Sequence, residues 1–486
     1  MINKKYTYLL LYFIVGAVFY TFISYKLGIN SDSASAILIS KDGAEGNFVL
    51  NGWHLSTQAY YFTDLLGMTI LFKIFGYNIF LAHFYAGLLY TTLVALSIKL
   101  LGRVTILGIS VITGVIVLPS VYQSFSALVI NIHIGTYVCA LFCILMSIKF
   151  NNTNLLKYMV PVVIFSVLVI YSDSIYFYVF VLPLMIAAVA SRFMGVMSNR
   201  SFIYIIFACV LIVLGGKFLG VLMGVIYHFQ LPNPEVINNP AFQKQELIGH
   251  NVYLFFNGMS DYFNAKFYAQ RIKTISGITS FFNFFSMTVF VSLIAICAVR
   301  SLKKDFATML ISSAAIVMIG AYLVSDLATD SASPRYFFFS LVTGAILIGR
   351  TLVVSHNVKY LLILLFLFSG VFKILPLKGD VEDLQYKQLH SYLQTSGLNK
   401  GYASFWNASS LTVLGGISVA PVTFGEGAHN MGWLSKDDWY KEDRNFIIYD
   451  NDSDYKHGIN QFGEPFTILE FNGKKIAIYK KIIHIE

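Results

Sequence analysis

Apolar runs recur along most of this chain, about eleven of them before residue 377, and most approach the roughly 20 residues that a helix needs to cross a hydrocarbon core of about 30 Å. No soluble globule could hide them, because 57% of the residues are apolar and only 12% carry charge. The runs fall at 6–23, 80–97, 104–121, 133–148, 155–171, 175–190, 202–227, 278–299, 306–324, 336–354 and 358–372. The first lacks a small-residue cleavage site and reads as a retained helix. The chain is expected to be an all-α polytopic membrane protein carrying a separate α/β domain at its end.

The basic residues alternate in step with the runs. With the N-terminus inside, the inner turns collect Lys99, Arg103, Arg192, Arg200, Lys303 and Arg350, while the opposite turns hold almost none. The net charge of +9 is therefore a topology signal, and no nucleic-acid partner is implied. Cys139, Cys143, Cys209 and Cys297 all fall inside apolar runs, so neither a disulfide framework nor a metal site is expected.

Residues 1–377 form the expected membrane domain, with outer loops near 26–77 and 229–277. Both loops contain short segments suited to the membrane interface: "TDLLGMTILFKIFG" at 63–76, and "QKQELIGHNVYLFFNGMSDYFNAKFYAQ" at 243–270. Residues 378–486 change character, with more charge and short alternating strands. "DLQYKQLHSYLQTSG" predicts a helix stopped by Gly397, "GYASFW", "SVAPVTF" and "NFIIYD" predict strands, and "FTILEFNGKKIAIYK" predicts a hairpin turning at Asn472-Gly473. An odd number of crossings puts this tail outside.

Charge near a membrane demands a reason. Asp32, His133, Asp173, Lys217, Asp326, Asp330 and Arg335 all map to one level, the outer interface. A transporter concentrates such groups near the midplane, which here is apolar. Arg335 and Arg350 are separated by about 22 Å of helical rise, less than the hydrocarbon thickness. Either Arg350 snorkels or Arg335 is sunk in a polar cavity, where its planar fork would suit a lipid-borne phosphate. Each residue also has a plain structural role available. Asp32 can N-cap the helix it opens, Arg335 can anchor a helix end, Lys217 can snorkel, His133 can close a helix, and Asp173 can stabilise a turn. The echo of "SDSAS" (31–35) in "DSAS" (330–333) reads as chance.

The segment "EGNFVLNGWHLSTQAYYFTDLLGMTI" (45–70) resembles the "GN..L.GW.L....F..TD" stretch of bacterial GT-C glycosyltransferases that use polyprenyl-phosphate sugars. "NIHIGTY", "SPRYFF" and "GYASFWNASSLTVLGG" are similar to segments of the same group, and size and composition resemble its serotype-converting O-antigen glucosyltransferases. The resemblance implies a bacterial inner-membrane enzyme with a cytoplasmic N-terminus and a periplasmic tail. It would move one sugar, glucose, from undecaprenyl phosphate to an O-antigen or other polysaccharide hydroxyl, among membrane lipids and with no cofactor or metal. Asp32 maps onto the family's proton-accepting aspartate and Arg335 onto its donor-phosphate residue, with Lys217 and His133 as further donor contacts. Glu45, Trp53, His54, Tyr61, Asp64 and Asp173 are the candidates for sugar and acceptor contacts. The family's second acidic residue beside the first is missing from "SDSAS". A single displacement with a phosphate leaving group needs preplaced cations and one base, and it inverts the anomeric centre. The competing reading is a lipid-linked oligosaccharide flippase or other transporter.

Overall fold

A computed structural model describes residues 4–129, 133–226, 230, 241–268, 270–302, 304–376 and 381–485. Lys303, the start of "NIHIGTY", part of the 229–277 loop and the junction expected at 377/378 lie outside the described residues.

The first three-quarters are helical: α1 (Lys4–Leu27), α2 (Ser31–Ala44), the two-residue strand β1 (Trp53–His54), α3 (Leu66–Phe75), α4 (Ile79–Leu100), α5 (Ile106–Ile112), α6 (Val121–Ala127), α7 (Ile134–Thr153), α8 (Leu156–Ser172), α9 (Leu182–Phe193), α10 (Asn199–Ile226), α11 (Ile248–Phe263), α12 (Ile275–Ser301), α13 (Phe306–Val324), α14 (Phe338–Thr351) and α15 (His356–Ile374). Among the described residues six helices, α4, α7, α10, α12, α13 and α15, are long and apolar enough to cross a membrane. The number rises to eight if the bent pairs α1–α2 and α5–α6 each count as one span. Every expected run is helical, but the expected eleven crossings do not follow from these lengths, and the parity that placed the tail loses its basis.

Local chemistry explains the breaks. Gly28 takes a left-handed φ of +75° at the elbow where the chain turns by 119° between α1 and α2. Pro119 cannot continue the π-turn Thr113–Val117 that extends α5, so the chain bends by 78° before Ser120 caps α6. α8 has 17 residues, and α14 has 14 preceded by the 3-10 turn Ser333–Phe337, which cuts the expected 336–354 span short. The interfacial segment expected at 63–76 is the π-turn Tyr61–Leu65 running into α3.

The tail contains α16 (Val381–Thr395), β2 (Lys400–Ser404), α17 (Phe405–Thr412), β3 (Ser418–Phe424), β4 (Ala428–Asn430), β5 (Ser435–Lys436), α18 (Asp437–Tyr440), β6 (Arg444–Tyr449), α19 (Asp452–Phe462), β7 (Thr467–Phe471) and β8 (Lys474–Ile483). Its six-stranded sheet has the order β4-β3-β2-β6-β8-β7, with β2 parallel to both β3 and β6 and the outer pairings antiparallel. Asn472 and Gly473 both take left-handed φ, 46° and 80°, as a two-residue hairpin turn requires. The strand expected in "GYASFW" ends at Ser404, where Ser404 and Asn407 both bond Asp450 beyond β6, and α17 begins.

Membrane part and tail share an apolar core. Leu50, Trp53 and Met68 of the first loop are buried with Phe405, Val413 and Leu434 of the tail. β1 pairs antiparallel with β5, Trp53 opposite Lys436 and His54 opposite Ser435.

Candidate functional site

Asp32 does not take the capping role open to it on α2. Asn30 does: its Oδ1 accepts the Ser33 amide at 3.0 Å, and the Ser33 hydroxyl answers in a reciprocal capping box. One position into the helix, Asp32 is half-buried and accepts no hydrogen bond among the described residues. Burial raises its carboxyl above the ordinary value, against the opposing pull of the Arg335 guanidinium.

Arg335 arrives from the 3-10 turn ahead of α14. Asp330 builds that turn, its Oδ1 accepting the Ala332 and Ser333 amides at 2.9 and 2.8 Å, so the second "DSAS" opens a turn much as Asn30 opens α2. Asp326 accepts the Ala241 amide instead and stands outside this arrangement. The Arg335 guanidinium lies 5.2 Å from the Tyr336 ring centroid and has no carboxylate partner among the described residues. Arg350, by contrast, is held at the other end of α14 by Asp305 (3.2 Å), Thr308 and the Leu100 carbonyl. Asp32 and Arg335 thus lie near enough to influence each other's ionisation, and no ion pair joins them among the described residues.

Behind them lies a saturated polar cluster. His133, in left-handed conformation at the start of α7, bonds Asp173 through Nδ1 at 2.6 Å. Asp173 also accepts from the Thr136 hydroxyl at 2.6 Å and the Ile175 amide at 3.2 Å. With its oxygens committed and no surface exposed, Asp173 is a scaffold residue. The His133 ring is walled by Tyr60, Tyr137 and Tyr336 at centroid distances of 5.5, 6.1 and 5.9 Å. Asp64 is buried beside this group. Its Oδ1 accepts the Gly135 amide at 3.2 Å while Oδ2 has no partner among the described residues, and burial pushes its carboxyl up to about 6.

The remaining candidates do other things. Lys217 is exposed on α10, and no hydrogen bond or ion pair joins it to this cluster among the described residues. Glu45 ends α2 on the surface, 3.6 Å from Lys41. Trp53 and His54 hold the tail: Trp53 Nε1 donates to Asp42 at 2.8 Å and its ring meets Trp439 edge-on at 5.1 Å, while His54 Nε2 lies 2.7 Å from Asp437. The Tyr61 hydroxyl donates to the Phe48 carbonyl. The conspicuous loop motif therefore builds an interface.

Sequence reasoning passed over Tyr60, Tyr336 and Lys373. Lys373 is buried at the tail-side end of α15, its Nζ 3.2 Å from the Val115 carbonyl and 5.2 Å from the Phe263 ring centroid. A lone lysine closing an apolar run was the available signal. An apolar cavity of about 390 Å³ opens among α11, α12, α13 and α14, lined by Phe255, Met259, Phe290, Ile294, Ile319 and Phe337. Phe337 belongs to the Arg335 turn, so that turn contributes to the cavity wall. Among the described residues, no three His, Cys, Asp or Glu side chains are grouped to hold a metal ion. The chain matches no protein-family model and no curated protein.

Proposed function

We propose that the chain is a membrane glycosyltransferase that moves one sugar from a polyprenyl phosphate to a polysaccharide hydroxyl. The observation that carries this reading is that Asp32 and Arg335, both half-buried, lie near enough for each charge to act on the other, while no ion pair joins them among the described residues. Asp32 receives the proton of the acceptor hydroxyl as the new C1–O bond forms. The old C1–O bond breaks on the opposite face, and the leaving phosphate keeps the electron pair beside Arg335. Attack and departure on opposite faces invert the anomeric centre. The apolar cavity that starts at the Arg335 turn suits the donor's hydrocarbon chain. Glucose as the sugar, undecaprenyl phosphate as carrier, O-antigen as acceptor and the periplasmic face of a bacterial inner membrane are the finer form of the proposal, supported by the resemblance of residues 45–70. A flippase would set its essential charges at mid-depth, whereas these gather on the tail side of the helices.

The test is Asp32→Asn in reconstituted vesicles with radiolabelled polyprenyl-phosphate glucose. Transfer to O-polysaccharide should fall at least about 100-fold while the protein inserts and binds donor normally. Undiminished transfer would remove Asp32 as the base.

A further inference from the structure

The tail places one tryptophan where the membrane part places its candidate base. Three of the four tryptophans are largely packed away from solvent, Trp53 against Trp439 and Trp433 against Phe405 at 4.8 Å, while Trp406 meets the Phe405 ring edge-on at 5.3 Å. Trp406 is 59% exposed. It sits in the first turn of α17, and its main-chain carbonyl accepts the Ser31 hydroxyl at 2.6 Å. Ser31 directly precedes Asp32. One turn further along α17, Ser409 and Ser410 hydrogen-bond Ser35 and Ser31 of α2, at 2.9 and 3.2 Å. Trp406 precedes them by three and four residues and so shares their helix face, the face turned to α2. Side chains on a helix lean toward its N-terminus, and the Trp406 main chain, bonded to Ser31, roots the exposed indole beside the end of α2 that carries Asp32.

The backbone under this indole is fixed. Asp450 accepts from Ser404, from Asn407 Nδ2 at 2.8 Å and from Lys474. Burial favours the neutral carboxyl, but these donors outweigh it and hold the group below its ordinary range, so it stays an ionised anchor. Asn407 is buried, with its Oδ1 unpartnered. The anchor lies past the carboxyl ends of parallel strands β2 and β6, where strand order reverses and open sheets of this kind bind ligands.

We infer that Trp406 is the acceptor platform: the apolar face of a pyranose ring stacks on the exposed indole, and the ring's hydroxyl is presented to Asp32. A flat, rigid surface suits a polymer of sugar rings, since stacking needs no change in the protein and tolerates the neighbouring residues of the chain. The inference rests on the transferase reading and adds to it a residue that recognises the acceptor.

The test compares Trp406→Ala, Trp406→Phe and Trp406→Gln in the full-length protein reconstituted in vesicles, with polyprenyl-phosphate glucose as donor and purified O-polysaccharides as acceptors. The alanine and glutamine variants should raise the acceptor KM by about 10-fold with donor KM unchanged and kcat within about 3-fold, and phenylalanine should recover most of the loss. The side chain is exposed, so melting temperatures should match the parent protein. An unchanged acceptor KM overturns the platform while leaving the transferase reading intact. A rise confined to donor KM, or weaker membrane retention of the variants, identifies Trp406 as an interfacial anchor and also overturns it. Absence of transfer by the unaltered protein on every acceptor overturns the transferase reading itself.

Discussion

Asp32 and Arg335, supplied by the first loop and by the turn before α14, lie near enough to bias each other's ionisation, and no ion pair joins them among the described residues. Burial lifts the Asp32 carboxyl and the guanidinium pulls it back, so removing the cation must raise it further. A base works only when ionised, and the acid limb of kcat/KM should therefore move to higher pH in Arg335→Gln and stay near its place in Arg335→Lys. Activity should also fall about 100-fold in the glutamine variant, as for loss of one charge-stabilising donor. A pH profile with an unmoved acid limb would separate the two residues.

Asp64 should set the stability of the first loop against pH. Its folded carboxyl is raised to about 6 by burial, with Thr63 and the Gly135 amide opposing and Asp173 adding to the rise. The folded chain therefore holds a proton that the unfolded chain has released between roughly pH 4 and 6, and stability falls as pH rises through that window. Above pH 6 the ionised group costs about 2–3 kcal/mol. Asp64→Asn keeps an oxygen for the Gly135 amide. It should abolish the slope and melt higher than the parent protein at pH 7.5, as read by thermal unfolding in detergent.

His133 and Asp173 form a fully buried pair, and deleting one strands the other. Asp173→Ala should cost about 3–5 kcal/mol, and Asp173→Asn clearly less because Thr136 and His133 still find an oxygen. Equal melting temperatures for the two variants would show that an acceptor oxygen alone does not meet the site's requirement.

Docking of the tail depends on Asp42, which accepts from Trp53 Nε1 at 2.8 Å, Asn47 Nδ2 at 2.6 Å and Lys436 Nζ at 2.9 Å. Asp42→Ala leaves a buried indole N–H unpaired and should cost about 2–3 kcal/mol. Limited proteolysis should then cut within 430–440, which the parent protein protects, and transfer should fall because α2 loses its support. Gly135→Ala tests the other side of the site. Its Cβ would sit 2.2 Å from the Thr63 carbonyl, so this change should destabilise strongly in spite of its size.

Much of this was readable from the residues. Each apolar run became a helix, and the Asn472-Gly473 turn fell where alternation put it. The crossing number was not readable, because Pro119 breaks the 104–121 run and the helices in the 155–171, 175–190 and 336–354 runs are shorter than a crossing needs. Asp32, His133, Asp64, Asp173 and Arg335 could be singled out because charge beside a membrane is rare. Their division of labour could not: Asn30 taking the cap from Asp32, and Thr136 saturating Asp173, are tertiary facts. The first-loop motif was ambiguous for a related reason, since a tryptophan and a histidine that would suit a sugar serve equally well to hold a second domain, as Trp53 and His54 do here. Trp406 was hidden inside a stretch that reads as a strand, and only the turn into α17 exposes it.

The central claim is that one carboxylate and one guanidinium on the tail side flank a sugar phosphate during transfer. The most direct measurement is single-turnover transfer from radiolabelled polyprenyl-phosphate glucose to O-polysaccharide in vesicles, comparing the parent protein, Asp32→Asn and Arg335→Gln. Prompt transfer by the parent protein, intact donor binding with no transfer in Asp32→Asn, and weakened donor binding in Arg335→Gln are the predicted results. Equal transfer by all three, or donor moved across the bilayer with its sugar still attached, would contradict the account.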